Sequence, residues 1–130
     1  MFVDTSVIVA ILSGEEDAAL WSDRLENASV RFTSALVTLE AVMRLSTKLA
    51  IEPIEIAATI QLFLEEAEIE IVPIEAGDAT LAVQAFSDYG KGRRHPAQLN
   101  LADCLSYACA KRHKVPLLYK GNDFTHTDLA

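Results

Sequence analysis

The stretch Met1-Phe2-Val3-Asp4-Thr5-Ser6-Val7-Ile8-Val9-Ala10-Ile11-Leu12 joins an apolar run, a carboxylate and a second apolar run without a break. Residues Met1 to Asp4 are predicted to form a buried first strand. The second run, Val7 to Leu12, is ambiguous, since Val-Ile-Val favours a strand, whereas Thr5 and Ser6 before it are both acceptable N-caps of a helix. We predict a helix here, so that the chain begins with a strand that leads directly into a helix.

The remainder of the chain continues to alternate between strand and helix patterns. Further strands are predicted over residues 30–33, 69–74 and 115–119, and further helices over residues 15–27, 35–49, 53–67, 77–89 and 101–113. Ser34 and Asn100 are suited to cap helices, and Pro53 fits a first helical turn. This alternation is typical of a three-layer α/β/α domain with a mostly parallel central sheet. With 130 residues the chain is long enough for one ordinary domain and too short for two, so we expect a single domain over residues 1–130.

Two of the predicted helices carry notable apolar faces. The helix that follows Ser34 shows an apolar stripe, with Glu40 beside it, made of Leu36, Leu39, Val42, Met43 and Leu45. The helix over residues 53–67 is apolar on more than one face. Such a helix is either deeply buried or covers a second interface, and a domain of this size has little depth in which to bury it. Leu62 and Phe63 on this helix, and Trp21 on the predicted helix over residues 15–27, are candidates for an interface, with plain core packing as the alternative.

The charge of the chain is acidic overall but unevenly distributed. Its 19 acidic residues against 11 Lys and Arg give a formal net charge of -8, which argues against a constitutive nucleic-acid binder. Six of the cations are nevertheless concentrated in the stretch that flanks Asp103: Lys91, Arg93, Arg94, Lys111, Arg112 and Lys114. Residues 90–96 combine helix breakers with three of these cations and are predicted to form an exposed, mobile loop. The acidity therefore does not exclude RNA as a substrate.

The two cysteines indicate neither a disulfide nor a zinc knuckle. Cys104 and Cys109 are five residues apart on one predicted helix and point to different sides, so we expect small buried thiols. The start of the chain has no basic segment, and the apolar run Val7–Leu12 is far too short to span a bilayer. These features predict a cytosolic protein.

Four acidic residues far apart in the chain are candidates for one common site. Asp4 and Asp123 come just after predicted strands, at the sheet edge where open parallel sheets place their ligands, while Glu40 and Asp103 lie on predicted helices. Each has a simpler explanation: Asp4 as an N-cap, Glu40 as an ion-pair partner of Arg44, Asp103 as an acid in a first helical turn and Asp123 as a turn residue. Their convergence on one edge of the sheet favours the common site.

These four carboxylates repel one another when they lie close together, so the site calls for a bound cation. Hard oxygen ligands suit Mg²⁺ or Mn²⁺, and the lack of His or Cys among the four argues against zinc. Such a site lowers the pKa of a bound water and orients it for in-line attack on a phosphodiester. Ser6 is suited to hydrogen-bond a ligand carboxylate or a metal-bound water, and equally to cap the first helix.

Four segments give the chain a family resemblance over essentially its whole length: Val3-Asp4-Thr5-Ser6, Thr38-Leu39-Glu40, Leu99-Asn100-Leu101-Ala102-Asp103-Cys104-Leu105-Ser106-Tyr107-Ala108 and Leu117-Leu118-Tyr119-Lys120-Gly121-Asn122-Asp123-Phe124. In this order and at these spacings they resemble the PIN-domain ribonucleases, most closely the VapC toxins of prokaryotic toxin–antitoxin pairs. The resemblance implies an Mg²⁺- or Mn²⁺-dependent endoribonuclease whose metal ligands correspond to Asp4, Glu40, Asp103 and Asp123, with Ser6 in a supporting position. It also implies a homodimer and a cognate VapB-like antitoxin that wraps the toxin.

Two departures from the family pattern affect no catalytic position. Ala102 stands where close relatives often carry Gly before the third acid. The chain also stops at Ala130, soon after Asp123, so a final edge strand is expected to be short or missing.

The basic loop is interpreted from its position alone and not from the resemblance. Residues 90–96 lead towards the helix that bears Asp103, so Lys91, Arg93 and Arg94 are expected to hold RNA phosphates near the metal, with solvated surface charge as the alternative. Neither this loop nor any aromatic residue carries a base-reading pattern, and no particular RNA is predicted.

Three rival functions are weighed against the ribonuclease. A noncatalytic interaction module with a PIN fold is the strongest of them, and the intact set of acids argues against it. A phosphoacceptor receiver domain needs an Asp at the end of a middle strand, where Ile74-Glu75-Ala76 offers only Glu75. A phosphatase of the haloacid-dehalogenase type needs an acid two residues after Asp4, where Ser6 stands.

Overall fold

The computed structural model describes all residues 1–130, and a four-stranded parallel sheet lies at its centre. The strands are β1 (Phe2–Val3), β2 (Phe32–Thr33), β3 (Glu70–Ile71) and β4 (Leu117–Leu118). Their order across the sheet is β3-β2-β1-β4, and each neighbouring pair runs parallel. The predicted α/β class and parallel sheet are confirmed. Each strand is two residues long and therefore shorter than predicted from its apolar run.

Six helices connect the strands: α1 (Thr5–Leu12), α2 (Ala18–Glu26), α3 (Ala35–Leu49), α4 (Pro53–Glu66), α5 (Ala76–Tyr89) and α6 (Leu101–His113). The ambiguous run after Asp4 is therefore helical, as predicted. The predicted caps also form: Ser34 Oγ accepts from Val37 N–H at 3.3 Å, and Asn100 Oδ1 accepts from Asp103 N–H at 2.9 Å. None of these helices is long and apolar enough to cross a membrane.

The helices form two groups on the two faces of the sheet. Helix α1 contacts α2 and α3, α3 contacts α4, and α5 packs along α6. The chain first runs outward from β1 through β2 to β3, then returns across the sheet to place β4 on the other side of β1. Because parallel crossovers are right-handed, this reversal puts α1–α4 on one face and α5–α6 on the other. The reversal makes the carboxyl ends of β1 and β4 a switch point, the place where α/β sheets bind ligands.

The inward face of α3 differs from the predicted stripe. The helix buries Val37, Ala41 and Leu45, which are spaced four residues apart, whereas Leu39 and Met43 are 55% and 61% exposed. The predicted stripe was right for Leu45 and wrong for Leu39 and Met43. The small residue Ala41 in the buried row suits close packing against α1 and α4, which both contact α3. Two large apolar side chains of α3 are left on the surface as a result.

Helix α4 is apolar on two faces, as predicted. It buries Ile56, Ile60 and Leu64 and leaves Ile54 83% and Leu62 55% exposed. Of the other two residues considered for an interface, Trp21 is buried in the core and Phe63 is half-buried against it. The surface face of α4 therefore remains uncovered in the single chain.

The segment after β4 consists of turns and adds no edge strand to the sheet. It is nevertheless fixed to the domain, because Phe124 is fully buried and its ring lies 5.2 Å from that of Tyr119. Both cysteines are buried free thiols, as predicted.

Candidate metal centre

Asp4 lies at the carboxyl end of β1 and is only 5% exposed. Its Oδ2 atom accepts a hydrogen bond from Ser6 N–H at 3.1 Å and a second from Ser6 Oγ at 2.7 Å. The carboxylate is thus the N-cap of α1. Burial raises the pKa of Asp4, the two bonds from Ser6 oppose that shift, and the nearby charge of Glu40 adds to it. Asp4 therefore caps α1, while burial and the charge of Glu40 disfavour its ionised form.

The ends of β1 and β4 are joined directly. Asp4 N–H donates to the Leu118 carbonyl at 3.0 Å. Ser6 Oγ, which donates to Asp4, in turn accepts from Lys120 N–H at 2.9 Å. Asp123 follows three residues later, on an exposed turn. The two strand-end acids predicted from the sequence thus belong to the same end of the sheet.

Asp103 is the third residue of α6 and is 8% exposed. Its Oδ2 atom accepts from Asn100 N–H at 3.1 Å, while Asn100 caps the helix in return. Burial raises the pKa of Asp103 to about 7; the Asn100 hydrogen bond opposes this shift, and the charges of Asp123, Asp4 and Glu40 increase it. These interactions place the four predicted acids in one electrostatic neighbourhood.

Glu40 is half-buried on α3. Its charge raises the pKa of both Asp4 and Asp103. The alternative considered for it, an ion pair with Arg44, does not form, since neither residue takes part in any ion pair of the structure. Glu40 thus faces other acids without a cation of its own.

The four carboxylates fit a hard divalent cation by donor type and charge. All offer oxygen, the ligand that Mg²⁺ and Mn²⁺ prefer. Two are buried with raised pKa values, chiefly because burial disfavours their charged forms and in addition because the other acids repel them. As the side chains lie, no group of three or more His, Cys, Asp or Glu is arranged closely enough to hold an ion. The site therefore has the donors and the electrostatic demand for a cation, and ligation requires its side chains to draw closer.

Ser106 is a polar residue of this site that the sequence reading missed. It lies one turn after Asp103 on α6, is 3% exposed, and its hydroxyl opposes the rise in the pKa of Asp4. A helix residue three positions from a candidate ligand lies on the same face. The spacing of three residues from Asp103 could have identified Ser106 from the sequence. It was not sufficient by itself, because serines are also common at helix positions without a functional role.

The basic loop lies beside the amino end of α6 and so on the side of Asp103. Lys91, Arg93 and Arg94 are all exposed. Gly90 and Leu99 pair through a β-bridge at the base of the loop, and the Arg93 guanidinium lies 5.8 Å from the centre of the Phe86 ring. The loop therefore presents three cations from a base that is closed by backbone hydrogen bonds.

The second group of cations does not flank Asp103 in space, which corrects the interpretation from sequence. Lys111, Arg112 and Lys114 lie at the other end of α6, and nine residues of helix separate Arg112 from Asp103 by roughly 14 Å. Lys111 pairs with Asp128, and Arg112 pairs with Asp78 and Glu75. The error arose because closeness in sequence ignores the length of the helix.

Comparison with known proteins gives consistent results. A family model described as PIN domain matches residues 1–129. Ribonuclease VapC28 of Mycobacterium tuberculosis is 47% identical over 127 residues, which cover 98% of this chain and 93% of that protein. A toxin–antitoxin complex from Klebsiella pneumoniae contains a chain that matches with a TM-score of 0.71 at 19% identity, covering 98% of this chain and 92% of that chain. The sarcin-ricin loop cleaving toxin VapC20 of Mycobacterium tuberculosis matches with a TM-score of 0.69 at 21% identity, covering 95% of this chain and 92% of that chain. At these identities the two structures support the fold alone.

Proposed function

The chain belongs to the PIN-domain family, and from this premise we propose that residues 1–130 form a single domain that acts as a divalent-metal-dependent endoribonuclease, the toxin of a VapBC-like pair. The observation that carries the proposal is the group formed by Asp4, Glu40, Asp103 and Asp123, in which two buried carboxylates have raised pKa values and no cation partner. The similar proteins of known family are named as ribonucleases. The cytosol, where RNA is available, is the proposed place of action.

The proposed ligands are the four acids, with Mg²⁺ or Mn²⁺ as the ion. A bound divalent cation would lower the pKa of a water and neutralise charge on the scissile phosphate. Asp4 and Asp103 each commit Oδ2 to a hydrogen bond within the protein, from Ser6 and from Asn100 respectively. Oδ1 of each is the oxygen proposed to turn towards the ion, although the Ser106 hydroxyl also interacts with the Asp4 carboxylate. Both carboxylates are thus held by caps that fix their orientation.

Ser6 is proposed to orient Asp4. Its single hydroxyl proton points to Asp4 Oδ2, because the hydroxyl oxygen accepts from Lys120 N–H. Glu40 and Asp123 make no hydrogen bond of this kind and are more exposed, so they are free to adjust when a cation is present. The site thus combines two fixed and two adjustable acids.

RNA is proposed to lie along the amino end of α6. Lys91, Arg93 and Arg94 are exposed on the loop that precedes this helix. Cations at such a place hold phosphates and position a strand without reading its sequence. The stacking of Arg93 on Phe86 keeps its guanidinium at the surface.

An antitoxin and a second copy of the chain are the proposed protein partners. The two neighbouring helices α3 and α4 leave large apolar side chains uncovered, namely Leu39, Met43, Ile54 and Leu62. Exposed apolar groups of this kind mark interaction surfaces. Sedimentation at micromolar concentration should show a dimer or a complex with the antitoxin helix, and a strictly monomeric chain that binds no such helix would contradict this part of the proposal.

A cleavage assay tests the catalytic proposal against a noncatalytic PIN-fold module. Chelator-treated protein should not cut RNA, added Mn²⁺ or Mg²⁺ should restore cutting, and Asp4→Asn should remove it. Asp23→Asn, which removes the same charge from an exposed position on α2, is the matched control and should cleave normally. Equal cleavage with and without metal, or by Asp4→Asn, would leave the interaction module as the better account.

A further inference from the structure

Lys120 is a residue outside the four acids that is fixed at both its main chain and its side chain. Its N–H donates to Ser6 Oγ at 2.9 Å, and the same hydroxyl donates to Asp4 Oδ2 at 2.7 Å. Its ammonium group contacts Glu15 and also Asp17, the latter at 2.9 Å. Glu15 and Asp17 lie in the turn between α1 and α2. Lys120 therefore connects the end of β4 to two separate parts of the chain.

The ammonium group of Lys120 belongs to a partly exposed cluster of ion pairs with Glu15 and Asp17. The side chains of Lys120, Glu15 and Asp17 are 33%, 29% and 34% exposed. Glu15 also pairs with Lys48 at 3.2 Å, and Lys48 donates to Ser13 Oγ at 3.0 Å. The two acids raise the pKa of Lys120, which is thus held as a charged group between them. Its charge is accordingly satisfied by residues that lie outside the four-acid group.

The segment that carries Asp123 runs between two fixed points. Lys120 is the first, and the fully buried Phe124 is the second. Between them Gly121 has a φ of +100° with open space around it, and Asp123 makes no hydrogen bond through its side chain. The position of the Asp123 carboxylate therefore depends on how firmly the two ends of this short segment are held.

We propose that Lys120 is a positioning residue of the proposed active site: its contact with Glu15 and Asp17 fixes the segment 120–124, and so sets the place of Asp123 and the direction of the Ser6 hydroxyl. The inference rests on the proposed ribonuclease function. Lys120 acts through geometry, because its ammonium group pairs with Glu15 and Asp17 and with none of the four acids. Neighbours that orient ligands in this way commonly change metal affinity or activity by about 10- to 100-fold when they are removed.

The competing role for Lys120 is direct contact with an RNA phosphate, and the two roles predict opposite effects of one variant. In Glu15→Gln/Asp17→Asn the ammonium group is released from its acids. A phosphate-binding lysine would then bind RNA more tightly and support equal or faster cleavage. A positioning lysine would lose the two acids that hold its side chain in place, so cleavage should fall as it does in Lys120→Met. The smaller negative charge of the variant should not restore the lost cleavage.

The test combines hydrogen exchange with single-turnover kinetics. In metal-free protein, Lys120→Met and Glu15→Gln/Asp17→Asn should both speed amide exchange over residues 120–124, while Lys120→Arg should restore most of the protection. With metal, both variants should lower the maximal single-turnover rate constant by roughly 10-fold with little change in the protein concentration that gives half the maximal rate, and Lys120→Arg should recover it. Lys48→Met, which removes the other cation from Glu15 without touching the segment, is the matched control and should behave as wild type.

Unchanged exchange over residues 120–124 in Lys120→Met would overturn the positioning role, as would a gain of RNA affinity and cleavage in Glu15→Gln/Asp17→Asn. Absence of cleavage by the wild-type protein would instead count against the proposed function, and the exchange data from the metal-free protein would still decide whether Lys120 holds the segment.

Discussion

Asp78 and Asp103 occupy the same place on two neighbouring helices. Each is the third residue of its helix, α5 for Asp78 and α6 for Asp103, and each accepts a hydrogen bond from the N–H of the capping residue, at 2.8 Å and 3.1 Å. Both are buried, at 0% and 8% exposure. From the local sequence and the local backbone the two carboxylates are equivalent.

Their surroundings across the fold are opposite. Asp78 meets Arg112, and although burial raises its pKa, the bonds from Arg112 and from Glu75 N–H outweigh burial and lower it. Asp103 has three other acids nearby, and burial, with the charges of these acids in addition, raises its pKa to about 7. A capped carboxylate next to a cation thus stabilises the fold, whereas a capped carboxylate among other acids is a proposed metal ligand. The difference separates the stabilising acids of this fold from the proposed functional ones.

The largest expected effect is on catalysis. Asp103→Asn should lower single-turnover RNA cleavage by about 100-fold or more, because loss of a ligand should exceed the 10- to 100-fold typical of an outer partner. Asp78→Asn, assayed at a temperature where it is folded, should cleave within about threefold of wild type, since Asp78 lies at the other end of the two helices. Similar losses of RNA cleavage in both variants would contradict the proposed difference in role between Asp103 and Asp78.

The next effect concerns stability, where Asp78→Asn is expected to be more damaging than Asp103→Asn. Asp78→Asn should lower the free energy of unfolding by about 2 kcal/mol, because it leaves Arg112 without its buried partner. Asp103→Asn should leave metal-free protein equally stable or more stable, because it removes a buried charge from among like charges. Urea denaturation of both variants in the presence of chelator measures the difference. A destabilised Asp103→Asn protein would mean that its cap outweighs the repulsion.

Stability as a function of pH should sharpen the comparison, with an amplitude of roughly 1–3 kcal/mol. The folded-state pKa of Asp103 lies above its ordinary value of 3.8, so between pH 4 and 7 the folded protein binds more protons than the unfolded chain. Its contribution therefore makes metal-free protein less stable as pH rises through this window. Asp78, whose pKa is lowered, contributes stability above about pH 4 that is lost as pH falls further. Melting curves of Asp103→Asn should show a weaker first trend, to which Asp4 with its raised pKa also contributes, and should retain the second.

The smallest expected effect concerns the basic loop. Arg93→Ala/Arg94→Ala should weaken RNA binding severalfold and lower the salt dependence by up to about two phosphate contacts, while metal binding is unchanged. Lys114→Ala, at the far end of α6, should have no effect on either. Salt-titrated binding measures both variants, and equal behaviour of the two would assign the loop cations to solvated surface charge.

Much of the fold could be predicted because its determinants are local. Ser34 and Asn100 cap their helices through residues three positions away, and Asp4 follows its strand directly, so the order of elements and the strand-end acids are readable from short windows. The buried row of α3 could not be predicted in full, because Leu39 and Val37 are both apolar and only packing in the folded domain decides which of them is buried.

The side-chain contacts that escaped prediction depend on distant partners. Lys120 is 105 residues from Glu15 along the chain, and Arg112 is 34 residues from Asp78. Nothing near Asp78 in the sequence distinguishes it from an exposed acid in a first helical turn. A single sequence reveals which acids can cap a helix, while the fold decides which of them meet a cation.

Calorimetric titration of Mn²⁺ into chelator-treated protein tests the central claim most directly, with wild type, Asp103→Asn and Asp78→Asn measured side by side. The account predicts that wild type and Asp78→Asn bind the ion with similar affinity and that Asp103→Asn binds at least about 10-fold more weakly. Equal affinity in all three proteins, or a loss confined to Asp78→Asn, would contradict it.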